Sequence, residues 1–337
     1  MTATYKSAGV DVEAADKVKS RIADLAASTH GPEVLTALGG FGGLYQLAKY
    51  ESPVLVSGTD NVGTKLKIAI AMESYQGLGE DVVNACVNDV ITSGAKPLFF
   101  LDYIATGQVD SGLTEALITG VVKACRENGC ALIGGETSEL PGLFAPKEFD
   151  LSGFVVGVVE KEEILAPESV RQGDILIGVP STGLHTNGYS LVRHVLNINN
   201  DPSPLFHYHE SLGCTLGEAL LEPHRAYFPL IEPIIPYVKS IAHITGGGLS
   251  DNVPRALPKN LCADIEMQTW IVPPIFEVLR DIGGIDSSEM YRVFNMGLGM
   301  VLICDEGSKD SICTLIPEAT VVGSVVENVS GVRVVLR

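Results

Sequence analysis

A nine-residue loop in the first quarter of the chain combines the groups that can hold a metal-bound phosphate. It runs from Ser57 to Lys65, reads Ser-Gly-Thr-Asp-Asn-Val-Gly-Thr-Lys, and follows an apolar run that predicts a strand. Its glycines let the backbone come close, Asp60 offers oxygens to a hard cation, and Lys65 offers an ammonium to a phosphate. It is not a Walker loop, because Thr64 stands where that motif has its lysine. Two interpretations of this loop stay open, a loop that binds nucleotide through Mg2+ and an ordinary glycine-rich turn after a strand.

Four acidic sites in the first half end or follow predicted apolar strands and helices. They are Asp60, the Asn88-Asp89 pair, Asp102 and Glu136. Because the ligands of open α/β sheets collect outside one edge of the sheet, we expect these oxygens to meet around Mg2+. A single acid at such a place is usually a helix cap or a turn residue. The occurrence of four acidic sites at such places favours a metal–nucleotide site over the alternative that each acid caps a helix or lies in a turn.

Two turns in the second half combine a histidine with hydroxyl groups and glycine. They read His-Thr-Asn-Gly-Tyr-Ser at 185–190 and Ala-His-Ile-Thr-Gly-Gly-Gly at 242–248, each before a predicted helix. Amides at a helix start attract phosphate, and histidine moves protons near neutral pH. Histidines without such a turn are interpreted as structural: His194, His207, His209 and His224. No HExxH, zinc-type Cys/His or GxSxG pattern occurs, so metalloprotease and serine-hydrolase interpretations have no support.

A second glycine-rich segment, Gly39–Gly43, reads Gly-Gly-Phe-Gly-Gly. It is not a dinucleotide fingerprint, because no strand is predicted before it and the glycine spacing fails at Tyr45. Two interpretations stay open, a plain connector and a loop that covers a ligand.

Hydrophobic periodicity predicts alternating strands and helices, which indicates an α/β layer arrangement. Helices are predicted at 11–28, 81–93, 112–128, 220–235 and 273–282. Strands are predicted at 53–56, 98–101, 131–133, 154–159, 174–179, 299–304 and 332–336. A charged, proline-containing stretch at 161–173 separates two hydrophobic blocks, so we predict domains at 1–165 and 170–337. The polar stretch at 197–211 is predicted to be a surface excursion.

Composition excludes several classes of partner. The 337 residues favour two domains, and 46% hydrophobic with 19% charged residues is typical of a globular protein. A net charge of −18 argues against nucleic acid and anionic membrane as partners. The seven cysteines form no CxxC pair, the amino terminus has no apolar core, and no run is long enough for a membrane span. These features predict a cytoplasmic protein with reduced thiols.

Several blocks, taken together and in order, resemble phosphoribosylformylglycinamidine cyclo-ligase, the aminoimidazole ribonucleotide synthetase of purine biosynthesis. They are the loop at 57–65, Cys-Val-Asn-Asp at 86–89, Pro-Leu-Phe-Phe-Leu-Asp-Tyr at 97–103, Ile-Gly-Gly-Glu-Thr at 133–137, His-Thr-Asn-Gly-Tyr-Ser-Leu-Val-Arg at 185–193, Ile-Ala-His-Ile-Thr-Gly-Gly-Gly at 241–248 and Glu-Met-Tyr-Arg-Val-Phe-Asn-Met-Gly at 289–297. The likeness extends from about Tyr5 to Val335 and is far more specific than any single block.

The resemblance implies a two-domain α/β fold with mixed sheets and helices packed on them. It implies an amino-terminal domain that binds ATP and pairs in a homodimer, and a carboxy-terminal domain that completes the substrate site. The implied reaction closes formylglycinamidine ribonucleotide to 5-aminoimidazole ribonucleotide. ATP phosphorylates the formyl oxygen, an amidine nitrogen attacks that carbon, and ADP and phosphate are released.

The resemblance also suggests roles for individual residues. Asp60 and Asp89 are expected to bind Mg2+ with Asp102 and Glu136 as helpers, and Lys65 is expected to contact the ATP phosphates. His185 is the favoured proton acceptor and His243 the second choice. The other nucleotide-binding candidates are Gly40, Gly42, Gly43, Thr59, Asn61, Asn88, Gly135 and Thr137. The substrate-binding candidates are Thr186, Asn187, Ser190, Thr245, Gly246, Gly247 and Gly248.

One position departs from the family, and several alternatives share its architecture. Asn61 stands where the loop usually has glycine, and asparagine is the best substitute at a left-handed position, so the turn is expected to survive. A selenophosphate synthetase would need a reactive cysteine near the amino terminus, but the first cysteine is Cys86. A hydrogenase-maturation protein ends in a reactive cysteine, whereas this chain ends Val-Val-Leu-Arg. A thiamine monophosphate kinase stays an alternative, as does a non-catalytic nucleotide-binding protein, although the latter should have lost carboxylates or Lys65.

Overall fold

The structure is a computed structural model that describes residues 21–36, 38–329 and 331–337. Most of the helix predicted at 11–28 lies outside the described residues. The chain divides into two compact units. The first contains residues up to Val90 together with Pro97–Glu160, and the second contains Ile91–Lys96 and Lys161–Arg337.

The first unit is built on a four-stranded mixed sheet. Its strands are β1 (Pro53–Asn61), β2 (Lys96–Thr106), β3 (Ala131–Glu139) and β4 (Phe149–Glu160), and its helices are α1 (residues 21–27), α2 (Lys65–Met72), α3 (Gln76–Ile91) and α4 (Ser111–Glu127). The strand order is β1-β4-β2-β3. Strand β1 runs antiparallel to β4, while β2 runs parallel to β3.

Helices α3 and α4 cross closely because each has a glycine at the contact. A Cβ at Gly79 would lie 2.2 Å from the backbone oxygen of Leu117, and one at Gly120 would lie 2.3 Å from that of Gln76. Side chains at these positions would collide with backbone, which cannot move without separating the helices.

Helix α3 covers one face of the sheet. A Cβ at Gly58 on β1 would lie 3.3 Å from Val90 of α3, and one at Gly153 on β4 would meet Val82 of α3 at 3.1 Å. Since alternate strand residues share a face, Asp60 also projects toward α3.

The second unit is built on a six-stranded mixed sheet. Its strands are β5 (Ile175–Pro180), β8 (Ser240–His243), β9 (Leu261–Ile265), β10 (Leu298–Cys304), β11 (Thr320–Glu327) and β12 (Val334–Leu336), and a separate hairpin consists of β6 (Tyr208–His209) and β7 (Cys214–Thr215). The order in the large sheet is β12-β9-β11-β5-β10-β8. Its helices are α5 (Tyr189–Val195), α6 (Leu216–Leu220), α7 (Phe228–Ile231), α8 (Gly248–Asn252), α9 (Pro274–Gly283), α10 (Ser287–Val293) and α11 (Lys309–Leu315).

The predicted α/β arrangement is confirmed, but two details of the predicted elements are wrong. Strands β2 and β3 continue through Asp102 and Glu136, so these acids lie inside strands rather than after them. The helix predicted at 220–235 is broken into α6, α7 and a 3-10 turn at Glu232–Tyr237. Prolines supply no N–H for a continuous helix, and this region contains Pro223, Pro229, Pro233 and Pro236. In the part of the chain that the structure describes, no helix is long and apolar enough to cross a membrane.

Candidate active site

Asp60 and Asp89 lie close to the same thiol in the first unit. Cys86 Sγ is 4.0 Å from the backbone oxygen of Asp60. Burial raises the pKa of the Cys86 thiol, and the charges of Asp60 and Asp89 raise it further. Asp89 lies in the last turn of α3, which contains no basic residue, although the helix dipole already makes this end negative. The arrangement concentrates negative charge at one place and suits a bound cation.

Asp102 projects from the same, helix-covered face of the sheet. It pairs with Gly135 of β3, and a Cβ at Gly135 would lie 2.2 Å from Asp102 Oδ1. Glycine at 135 is therefore required for the carboxylate to fit. Glu136 is exposed and, because successive strand residues alternate, projects from the opposite face. This placement disagrees with the predicted role of Glu136 as a helper in the metal site.

No three of the predicted carboxylate ligands come together. Among the described residues, one set of three possible metal ligands has its ligand atoms within 4.8 Å of one another, and it consists of His185, His224 and His243. The prediction that oxygens from four places meet around one ion stays a prediction. Mg2+ usually takes only one or two carboxylates together with water and phosphate oxygens, so a site for this ion does not need all four acids.

The buried carboxyl of Asp102 makes folding stability depend on pH. Burial raises its pKa from 3.8 to about 7, and the charge of Glu136 adds to the effect. Because the folded protein holds this proton more tightly than the unfolded chain, stability falls as the pH rises from about 4 to about 7. We expect Asp102→Asn to increase the free energy of unfolding by up to about 4 kcal/mol at pH 8, but by less than about 2 kcal/mol at pH 5. Urea unfolding without ligand at both pH values measures the two gains.

Asp110 provides the control for this experiment. It is the exposed amino-terminal cap of α4 and accepts a hydrogen bond from the Leu113 amide. Asparagine caps a helix as well as aspartate, so Asp110→Asn should change stability little at either pH. An equal gain for Asp102→Asn at pH 5 and pH 8 would refute the assignment of a perturbed carboxyl.

Lys65 forms a buried ion pair instead of lying open in the loop. Its Nζ is 2.9 Å from Asp81 Oδ1 and 2.8 Å from Oδ2, and neither side chain is exposed. Lys65 begins α2 and Asp81 lies in α3, so the pair ties these helices together. This placement contradicts the predicted contact of Lys65 with the ATP phosphates, because the ammonium faces Asp81 inside the unit.

The loop itself differs from expectation at Asn61. This residue belongs to β1, and its amide donates to Asp60 Oδ1 at 2.7 Å. The left-handed residue of the loop is Gly63, with φ of 68°. The expectation that Asn61 fills a left-handed position is therefore wrong. The Thr59 hydroxyl donates to the backbone oxygen of Gly153 at 2.8 Å.

The glycine-rich segment forms a turn beside β3. Its flanks are joined by a hydrogen bond from the Leu35 amide to Leu44 O at 2.9 Å. A Cβ at Gly43 would lie 2.8 Å from the backbone oxygen of Ile133. The turn therefore approaches β3, the strand that carries Gly135 and Thr137. Asn88, another predicted nucleotide-binding residue, is fully buried in α3.

Three histidines meet in the second unit. His185, His224 and His243 are each at most 5% exposed. The rings of His185 and His224 stack with their centroids 4.0 Å apart, and Nε2 of His224 lies 3.2 Å from Nε2 of His243. Thr186 Oγ1 lies 3.4 Å from Nδ1 of His224. The two histidines predicted to accept protons are thus brought together, with a third between them.

The turn that carries His185 is strained and firmly supported. His185 has φ of 62°, which residues other than glycine rarely adopt. The Thr182 amide donates to His185 Nε2 at 3.3 Å, which places the ring proton on Nδ1. Asn295 Nδ2 donates to Gly183 O at 2.9 Å and holds the same turn. A Cβ at Gly299 would lie 2.8 Å from His185 Cε1, so the ring requires glycine there.

The two turns predicted to bind substrate lie side by side. A Cβ at Gly246 would lie 3.2 Å from Asn187 Oδ1. Asn252 holds the second turn, because its Nδ2 donates to Gly246 O at 3.2 Å and to Gly248 O at 2.9 Å. The structure therefore groups Thr186 and Asn187 with the segment 245–248, which contains Thr245 and Gly247. Ser190 is exposed and lies further along, in α5.

Four residues of these arrangements are not predicted from the sequence. From the sequence, His224 is interpreted as structural, and no role is predicted for Asp81, Asn252 or Asn295. The role of Asp81 could have been predicted from the sequence, because it lies on the apolar side of α3, where a charged side chain requires a partner. Asn295 lies in the recognised block at 289–297, which is the only clue to its importance.

Two family models match the chain. The model "AIR synthase related protein, N-terminal domain" matches residues 43–159, and "AIR synthase related protein, C-terminal domain" matches residues 171–335. The second match lies within the second compact unit, and the first lies within the first unit apart from Ile91–Lys96.

Curated relatives match over nearly the whole chain. The phosphoribosylformylglycinamidine cyclo-ligase of Thermoanaerobacter sp. (strain X514) is 46% identical over 333 residues, which cover 97% of this chain and 99% of that protein. The chain belongs to the phosphoribosylformylglycinamidine cyclo-ligase family. The family's proteins from Trichlorobacter lovleyi and Bacillus cereus (strain AH187) are 48% and 45% identical, covering 92% and 97% of this chain and 90% and 96% of their own lengths. The predicted membership is confirmed.

Solved structures of other proteins share the fold of this family. A hydrogenase maturation protein HypE in complex with ATP superimposes with a TM-score of 0.68 at 15% identity, covering 94% of this chain and 90% of that one. A thiamine-monophosphate kinase from Stenotrophomonas maltophilia K279a gives 0.64 at 15% identity, covering 95% and 94%. Such low identity shows the fold alone. The contrast with 46% identity to a cyclo-ligase favours that family over the kinase alternative.

Proposed function

We propose that this chain catalyses the ATP-dependent closure of formylglycinamidine ribonucleotide to 5-aminoimidazole ribonucleotide, with release of ADP and phosphate. One observation carries the proposal, the 46% identity to a cyclo-ligase over 97% of this chain. A formyl oxygen is a poor leaving group, and its phosphorylation makes attack by the amidine nitrogen productive. Such a transfer depends mainly on positioning and on neutralising charge, which polar loops and carboxylates on a rigid sheet can supply.

Asp60 and Asp89 are the residues that would hold Mg2+. Their proximity to Cys86 and the lack of a basic residue in the last turn of α3 fit a cation at this place. Bound Mg2+ would neutralise charge on the ATP phosphates. Asp102 is the helper on the same face, and Glu136 is left out of the site.

The nucleotide would lie against β1 and β3. The turn that contains Gly40, Gly42 and Gly43 would cover it, because this turn approaches Ile133. Backbone and side-chain groups that would line the nucleotide are those of Thr59, Asn61, Asn88, Gly135 and Thr137. Lys65 would act indirectly, by holding α2 against α3.

The second unit would bind the reacting end of the ribonucleotide. Thr186, Asn187 and Thr245, together with the amides of Gly246–Gly248, offer donors to its phosphate or hydroxyl groups. Ser190 stays a candidate at the edge of this group. His243 is the better proton acceptor, because the amide of Thr182 occupies Nε2 of His185.

We also propose that the first unit pairs with a second copy through the face of its sheet that α3 does not cover. That face carries exposed apolar side chains, with Leu55 63%, Tyr103 40% and Phe154 38% exposed. Exposed apolar side chains grouped on one face are typical of an interface between proteins. A cytoplasmic location is part of the proposal, since all seven cysteines are free thiols.

Replacing Leu55 tests the dimer. We expect Leu55→Arg to convert a species of twice 35.7 kDa into one of 35.7 kDa, because a charge would be buried in the apolar contact. Light scattering after gel filtration measures the mass. Ile271→Arg is the control, since Ile271 is 91% exposed in the second unit and should leave the mass unchanged. A monomeric wild type, or a dimeric Leu55→Arg variant, would contradict the proposal.

Product analysis tests the reaction. The protein is mixed with ATP and Mg2+, with and without formylglycinamidine ribonucleotide, and ADP and aminoimidazole ribonucleotide are quantified. We expect equal amounts of both products and no ADP without the ribonucleotide. ADP formed with thiamine monophosphate instead would favour the kinase alternative, and nucleotide binding without ADP would favour a non-catalytic protein.

A further inference from the structure

We propose that His224 is a positioning residue that fixes which nitrogen of His243 carries the proton, through a hydrogen-bond chain that begins at Thr186. The inference rests on the proposed function for its kinetic test, but the geometry that carries it does not depend on the substrate.

The hydrogen-bond chain consists of three residues joined by two contacts. Thr186 Oγ1 lies 3.4 Å from His224 Nδ1, and His224 Nε2 lies 3.2 Å from His243 Nε2. His224 and His243 are 2% and 5% exposed, so water competes little with these contacts. Hydrogen bonds in such an environment are stronger and constrain one another.

Neutral histidine carries one N–H, so the two contacts are coupled. If His224 donates from Nδ1 to the Thr186 hydroxyl, its Nε2 must accept from Nε2–H of His243. The lone pair of His243 then lies on Nδ1, where it can take a proton. If the Thr186 hydroxyl donates instead, Nε2–H of His224 donates to His243, and Nδ1 of His243 is protonated and cannot act as a base. We assign the first arrangement to the enzyme that is ready for ring closure.

The same three histidines do not form a good metal site. The ring planes of His185 and His224 are nearly parallel, at 17°, with their centroids 4.0 Å apart. Ligands of a tetrahedral ion instead converge on one point from different directions. Nε2 of His185 also accepts the hydrogen bond from the Thr182 amide, while its Nδ1 carries the proton. The ligand atoms of the three histidines do lie within 4.8 Å of one another, so the parallel rings and the occupied nitrogen of His185, not the spacing, disfavour a metal site.

Two substitutions of His224 separate positioning from packing. His224→Phe keeps a ring to stack on His185 but removes both nitrogens. His224→Gln keeps an oxygen that can accept from Nε2–H of His243. We expect His224→Phe to lower kcat about 10- to 100-fold with KM changed less than about threefold, and His224→Gln to recover most of the loss. His194→Gln is the control on an exposed histidine and should behave as wild type.

A spectroscopic readout tests the inference without turnover. Imidazole 15N shifts of His243, assigned by their disappearance in His243→Gln, report the tautomer. We expect one tautomer, with the proton on Nε2, in the wild type and in His224→Gln, and a mixture in His224→Phe. If wild type forms no product while these shifts behave as expected, the proposed function fails and the positioning role stands.

Three results would overturn the inference. The first is an unchanged kcat for His224→Phe in an active enzyme. The second is the same His243 tautomer in wild type and His224→Phe. The third is a stoichiometric transition metal in the purified protein, which would make the cluster a metal site.

Discussion

Lys65→Met is expected to destabilise the protein by about 3 to 5 kcal/mol, because it removes the ammonium that balances a buried carboxylate. Both side chains of the Lys65–Asp81 pair have no exposed surface, and both carboxylate oxygens lie within 2.9 Å of Nζ. The substitution keeps the length and apolar stem of lysine, so little packing is lost. Urea unfolding at pH 7 measures the change.

A second substitution separates the ion pair from any contact with ATP. Lys65→Met combined with Asp81→Leu removes both charges, and a buried pair replaced by apolar side chains often costs nothing. We expect the double variant to regain most of the lost stability and to turn over ATP once folded. A stable double variant without activity would instead support a direct contact between Lys65 and phosphate.

The neighbouring pair of Lys67 and Glu148 is the matched control. Its side chains are 45% and 42% exposed, and exposed pairs contribute about 1 kcal/mol or less. Lys67→Met should therefore leave stability within about 1 kcal/mol of wild type. A similar loss for both lysines would mean that burial of the Lys65 pair is not what matters.

The sequence is sufficient for the family and for most elements, because both depend on local patterns. The blocks at 57–65, 185–193 and 241–248 are contiguous, and helices such as α4 are marked by apolar residues at three- and four-residue steps. The two turns around His185 and His243 are also recognisable from sequence as places that could do chemistry, although their roles stay predictions.

What the sequence could not supply depends on pairing across the sheet and between helices. The strand pairing of Asp102 with Gly135 decides that Glu136 projects to the other face, and no local pattern contains that register. Lys65 meets Asp81 across 16 residues, and His224 meets His243 across 19. In each case the side chain's neighbour, rather than its own type, determines what it can do.

Asp60→Asn is expected to lower turnover by at least about 100-fold while leaving the fold intact, because phosphoryl transfer depends strongly on neutralising the charge of the phosphates. The asparagine oxygen can still accept the hydrogen bond that Asp60 Oδ1 takes from the Asn61 amide. Asp60 is half-buried at the end of β1, so the change should cost little stability. ADP release over a range of Mg2+ concentrations, together with thermal melting, measures both effects.

The Mg2+ dependence distinguishes a metal ligand from a residue that merely shapes the loop. Loss of a carboxylate ligand weakens Mg2+ binding, so Asp60→Asn should need more Mg2+ for half-maximal activity, and Asp89→Asn should behave alike if the two acids share one ion. The double variant should then be little worse than either single one, because residues that act as a unit are non-additive. Asp110→Asn makes the same chemical change at a helix cap in the same unit and should keep normal turnover. Normal turnover or an unchanged Mg2+ requirement in Asp60→Asn would remove Asp60 from the metal site, and with it the main support for nucleotide binding at β1.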